Sequence, residues 1–126
     1  MAMAFSVEPR ARLVVIRYES PYTLDEWRTA LDDALADPRF EPGFDFLVDR
    51  SEVEAASIEF ARGVAEYVTD HPQAFANCRI AIVVQPGVAF GMARMQEVLN
   101  ETGGATSMAF TTEEDARRWI AARSGP

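Results

Sequence analysis

A chain of 126 residues with 48% apolar side chains and no apolar run long enough to span a bilayer has the dimensions of one globular domain, 1–126, around one core. Its formal charge is −8 and every basic side chain is arginine, so the absence of lysine excludes Schiff-base chemistry, a phosphate-loop lysine and a lysine general base. Scattered arginines in an acidic chain lack the clustered basic face that draws nucleic acid, and one cysteine beside one histidine excludes an internal disulfide and a structural zinc site.

The opening MAMAFSVEPR has no basic n-region and too short an apolar segment for a secretory signal, so a cytoplasmic location is expected. Residues 3–18 predict two strands, the short MAFSVE and the β-branched run Arg12 to Tyr18, paired as a hairpin across Glu8-Pro9-Arg10. In Pro21 to Trp27, Thr23 and Glu26 have the spacing of a capping box, with Tyr22 and Trp27 as a hydrophobic staple. The helix that follows buries Leu24, Trp27, Leu31, Ala34 and Leu35 and stops at Asp37-Pro38.

Pro42-Gly43 turns the chain into GFDFLVDRSEVEAASIEFARGVAEYV, which passes from a strand buried on both faces (Phe44, Phe46, Leu47, Val48) through a polar corner into a helix. Both Ser51, with Glu54, and Ser57 can cap that helix; Ser57 is favoured because it immediately precedes the stripe Ile58, Ala61, Val64, Ala65 and Val68. The helix ends near His71-Pro72, and Arg79 to Val84 reads as another buried strand. Pro86-Gly87 opens a helix whose expected core stripe is Val88, Met92, Met95 and Leu99, with Phe90 off that stripe and exposed, and Gly103-Gly104 closes it. Ser107 to Phe110 is the fifth strand. The last helix begins in acidic residues Glu113, Glu114 and Asp115, continues into arginines as the helix dipole prefers, and buries Ala116, Trp119 and Ile120. The order β-β-α-β-α-β-α-β-α requires an α/β domain with a five-stranded, mostly parallel sheet, four helices and only the first strand antiparallel.

Four stretches carry a family resemblance: Phe46-Leu47-Val48-Asp49-Arg50-Ser51-Glu52-Val53, Arg79 to Val83, Gly91-Met92-Ala93-Arg94-Met95 and Asp115 to Ile120. With them the chain resembles, over nearly its whole length, the STAS (SpoIIAA-like) domain of bacterial anti-sigma factor antagonists, and more closely the STAS-like relatives that share a fold with the CRAL-TRIO lipid-transfer domain. The resemblance implies a regulatory, protein-binding module. The STAS switch runs Asp, any, Ser, any, Val, three variable residues, then Asp-Ser-Ser-Gly with a phosphorylated serine. Asp49, Ser51 and Val53 match the first half; Ser57 stands in place of the aspartate, Ile58 at the phosphoacceptor, and Glu59-Phe60 in place of Ser-Gly.

No catalytic constellation emerges. His71 at a helix end reads as a cap or helix-end cation and Cys78 as a small core residue, while most carboxylates sit in first helical turns where the dipole favours them. Asp45 and Asp49 differ in flanking a buried run, and Asp49 falls at a strand's carboxyl edge, where open α/β sheets meet their ligands. A backbone anion site at Gly87 is weighed against an ordinary turn. The expectation is therefore a non-enzymatic module without cofactor or metal, binding a protein partner or a second copy through Asp49, Arg50, Ser51, Ser57, Phe90, Met92 and Arg94. The alternative is a carrier of a small apolar ligand along Phe90, Met92 and Met95.

Overall fold

The computed structural model describes residues 3–122. Five strands, β1 (Met3–Glu8), β2 (Leu13–Tyr18), β3 (Asp45–Asp49), β4 (Arg79–Val83) and β5 (Thr106–Phe110), form one sheet in the order β1-β2-β3-β4-β5. β1 and β2 are the expected hairpin, joined by a 3₁₀ turn over Pro9–Ala11, and every later pairing is parallel. Between them lie α1 (Leu24–Ala36), α2 (Ile58–Asp70), α3 (Pro72–Phe75), α4 (Val88–Glu101) and, after β5, α5 (Glu113–Ala122). The helix beyond the expected four is α3, a single turn restarted by a proline whose missing N–H suits a first helical position. Among the described residues no helix is long and apolar enough to cross a membrane.

Strands laid down in chain order, each joined to the next by a right-handed crossover, place all the intervening helices on one face. The main core follows from this: Val14, Ile16 and Tyr18 of β2, Phe46 and Val48 of β3 and Ile80 and Ile82 of β4 meet Trp27 and Leu31 of α1, Phe60 and Val68 of α2, Phe75 of α3 and Ala93 of α4. Alternation sends Leu13, Val15, Leu47, Ala81 and Val83 to the other face, where Ala116 and Ile120 of α5 cover them. α1 starts as its capping residue dictates, Thr23 Oγ1 accepting from Glu26 N at 3.1 Å, and α2 starts at the favoured serine, Ser57 Oγ accepting from Phe60 N at 3.1 Å.

Several expectations are corrected. Ile58 lies outside the buried stripe of α2, 46% exposed, while Phe60, Gly63 and Tyr67 turn inward. On α4 the buried face is Ala89, Ala93, Gln96 and Asn100; Val88 is 78% exposed, and Met92, Met95 and Leu99 are half-buried flanks. The helix is rotated from its expected pose because small alanines admit close packing and two amides find internal partners: Gln96 Nε2 donates to Ala61 O of α2 at 3.0 Å and to Asn100 Oδ1 at 2.9 Å, and Asn100 Nδ2 donates to Ser107 Oγ of β5 at 2.9 Å. The same rotation packs Phe90 partly into the main core rather than leaving it exposed. On α5, Trp119 is half-buried beneath the Arg79 guanidinium, 4.7 Å from its ring centre, and Arg117 and Arg118 fall in mid-helix, pairing back to Glu113 and Glu114.

Candidate functional site

β3 runs parallel to both neighbours, so its outgoing end opens on the edge where β2 and β4 also end and α4 begins. Asp49 and Arg50 are adjacent there, and the pleat sends their side chains to opposite faces. Asp49 turns toward α5. Its Oδ1 accepts from Ser51 N at 3.0 Å and Ser51 Oγ at 2.6 Å, and its Oδ2 accepts from Arg17 Nη1. The carboxylate therefore closes a turn on Ser51 and anchors a chain of charge: Arg17 Nη1 reaches Glu113 Oε1 at 2.9 Å, Arg117 Nε reaches Glu113 Oε2 at 2.8 Å, and Arg117 Nη2 reaches Glu8 Oε2 at 3.0 Å. Hydrogen bonds from Arg17 and Arg117 hold the Glu113 carboxyl below the usual range, and those from Arg117 do the same for Glu8. This chain ties β1, β2, β3 and α5 together on the second face.

Arg50 enters the main core. Its backbone N–H donates to Val83 O at 2.8 Å and extends the sheet, while its side chain, 5% exposed, reaches a cavity of ≈ 30 Å³ under α1, α2 and α4. The guanidinium carbon stands 5.5 Å from the Tyr18 ring centre and 6.0 Å from that of Phe60. Burial pushes the Tyr18 hydroxyl above its ordinary range, against the pull of the Arg50 charge. The buried Trp27 Nε1, on the cavity wall, has no hydrogen-bond partner; it influences the Tyr18 hydroxyl without hydrogen-bond geometry.

The expected site residues thus fall into separate places. Asp49 and Ser51 are bonded together; Arg50 is beneath the sheet edge; Ser57 is spent on the α2 cap; Phe90 and Met92 are half-buried on α4; and Arg94 points outward, 3.4 Å from Glu97. At the opposite end of β3, Asp45 Oδ1 accepts from Arg79 N at 2.8 Å and so caps the first residue of β4. The His71 ring stacks on Tyr67 with centroids 3.9 Å apart and its Nδ1 lies 2.8 Å from Tyr67 O, and Cys78 is buried. Gly87, at φ +91°, makes the turn into α4, with its carbonyl accepting from Gly91 N. Among the described residues no three His, Cys, Asp or Glu side chains converge as a metal site would require.

Residues outside the sequence expectation complete the edge. A groove of ≈ 580 Å³ runs over Tyr22, Glu52, Val53, Glu54, Ala55 and Gln85, and a second of ≈ 340 Å³ continues it over Pro86, Val88 and Ala89, sharing Glu54, Ala55 and Gln85. Gln85 Nε2 donates to Ser51 O at 3.0 Å and Val53 is sealed at 2% exposure, so the floor is fixed. Two glutamates and no basic side chain line the pair of grooves.

No family model and no curated protein matches the chain. Among solved structures, the chain is similar to an uncharacterised protein of the DUF3478 family from Shewanella loihica, described as having a SpoIIAA-like fold, with 21% identity over 94% of each chain and a TM-score of 0.63. That likeness shows the fold: the chain has the SpoIIAA-like architecture. Fold alone carries no activity across.

Proposed function

We propose, with the SpoIIAA-like fold as premise, that the chain is a non-catalytic binding module that docks a protein partner on the outgoing edge of its parallel sheet. The observation that carries this reading is Val88, 78% exposed at the head of α4, beside two joined grooves that hold acidic but no basic side chains. A single exposed valine is ordinary; one beside a rigid-floored groove of that charge suits a partner segment offering an apolar residue and a cation. The reaction-capable groups near the edge have structural duties that support the non-catalytic reading: Asp49 holds Ser51 and Arg17, and Ser57 caps α2. Relative to the sequence expectation, the contact keeps the Asp49–Ser51 corner and exchanges Phe90, Met92 and Arg94 for Val88 and Glu54.

The test pairs Val88→Asp with Glu54→Arg. Self-association is read by sedimentation velocity, and partner capture by cross-linking in extracts of the source cells. The double variant is expected to fold with an unchanged Tm and to lose the species that the unmodified chain captures. Retention of the same sedimentation and the same captured proteins would remove the proposal. Carriage of a lipid-sized molecule has less support, since ≈ 30 Å³ is room for about two waters and an acyl chain would have to part the helices.

A further inference from the structure

Arg50 is the one part of the corner that docking leaves unexplained. Arginine keeps its charge in proteins, and moving that charge out of water without a counter-ion is opposed by several kcal/mol of desolvation. Buried arginines accordingly sit against carboxylates or are fully hydrogen-bonded. Arg50 has neither: its Nε is sealed without a partner, its side chain makes no hydrogen bond or ion pair among the described residues, no Asp or Glu lines its cavity, and of its side-chain nitrogens only the two terminal ones keep any contact with solvent. The rings of Tyr18 and Phe60 stand at 5.5 and 6.0 Å, the outer limit of a cation–π contact, and compensate only in part. A second buried donor, Trp27 Nε1, is also unpartnered on the same wall.

We propose that the cavity under α1, α2 and α4 is a binding site for a small monocarboxylate, held by the Arg50 guanidinium with its short apolar tail against Tyr18, Trp27 and Phe60. Three features select this ligand class. A single negative charge matches the single positive one, whereas a dianion such as sulfate would leave excess charge in an apolar chamber. The planar fork of a guanidinium pairs with a carboxylate through two parallel hydrogen bonds. The volume of ≈ 30 Å³ admits a group of about two waters' bulk, the size of a carboxylate with a very short chain. Walls from Ile16, Val48 and Ile82, interrupted by the Gln96 and Asn100 amides, make such a pair stronger than it would be in water. This inference does not depend on the docking edge.

The experiment uses the full chain carrying Trp119→Phe, so that Trp27 is the only fluorescent indole. Sodium acetate is titrated against sodium chloride at matched ionic strength while Trp27 emission and Tm are followed. The expected result is a saturable change in emission with a rise in Tm for acetate alone, both absent in Arg50→Met. If Arg50→Met does not fold, Arg50→Lys, which keeps the charge and loses the fork, should bind acetate at least about tenfold more weakly. Val88→Asp should bind acetate normally, which separates this site from the docking edge. A response equal to that of chloride, no saturable response, or full binding by the folded Arg50 variant would overturn the proposal.

Discussion

Asn100→Leu tests whether the polar ladder inside α4 orients that helix. Asn100 is 1% exposed, its Oδ1 accepts from Gln96 Nε2 at 2.9 Å, and its Nδ2 donates to Ser107 Oγ at 2.9 Å. Leucine has the same branching and the same number of side-chain heavy atoms, so no cavity opens, and its bulkier methyl groups can only add to the loss. What changes is that one Gln96 amide hydrogen and the Ser107 oxygen lose their partners where water cannot replace them. Each orphaned group costs about 1–3 kcal/mol, offset by about 1–2 kcal/mol from burying an apolar side chain, for a net loss of about 2 kcal/mol. That is roughly 8 °C in Tm for a domain of this size. Urea unfolding followed by far-UV circular dichroism measures it, with an unchanged slope showing that the native and unfolded states keep their exposure. The triple variant Gln96→Leu, Asn100→Leu, Ser107→Ala, which removes the orphans as well, should regain about half of the loss. A stability within about 0.5 kcal/mol of the unmodified chain for Asn100→Leu alone would refute the reasoning.

Ser57→Ala removes the cap at the start of α2 and should lower stability by about 1 kcal/mol in the same assay while leaving partner capture intact; loss of capture with unchanged stability would instead make Ser57 part of the docking edge. Glu8 and Glu113 have folded pKa values below their ordinary 4.5, so the stabilisation they bring is fully present above that pH and is lost as pH falls through the lowered values. The urea midpoint should therefore fall on acidification below 4.5, and Arg117→Met, which releases Glu8 and leaves Glu113 to Arg17 alone, should make the fall shallower. An identical pH profile for that variant would show that Arg117 does not sustain the network.

Most of the fold is legible in the residues because hydrophobic period, caps and turn residues agree. Thr23 and Ser57 lie at the starts of α1 and α2, and Pro86-Gly87 opens α4. The face of α4 was not legible, since a reading that rewards large apolar side chains prefers Met92 and Leu99 over Gln96 and Asn100. The amides win because their partners, Ala61 and Ser107, come from elements distant in sequence. The Arg50 site was half legible: Arg50 was selected, but as part of an exposed corner. Strand register contains the missing signal. Arg17 pairs with Asp49, so the next residues, Tyr18 and Arg50, share the opposite face, and an aromatic beside an arginine at the end of two buried strands points inward. The exposure of Val88 follows from the same rotation of α4 and was hidden for the same reason.

The order of the sheet has a consequence for biosynthesis. Because strand neighbours in space are neighbours along the chain, no strand has to be threaded between two that are already paired, and each new one adds to the growing side of what has emerged from the ribosome. The hairpin comes first and supplies a template; β3, β4 and β5 then extend it in one direction. α5, the last described element, arrives after all five strands, so the second surface of the sheet stays wet until that helix has emerged.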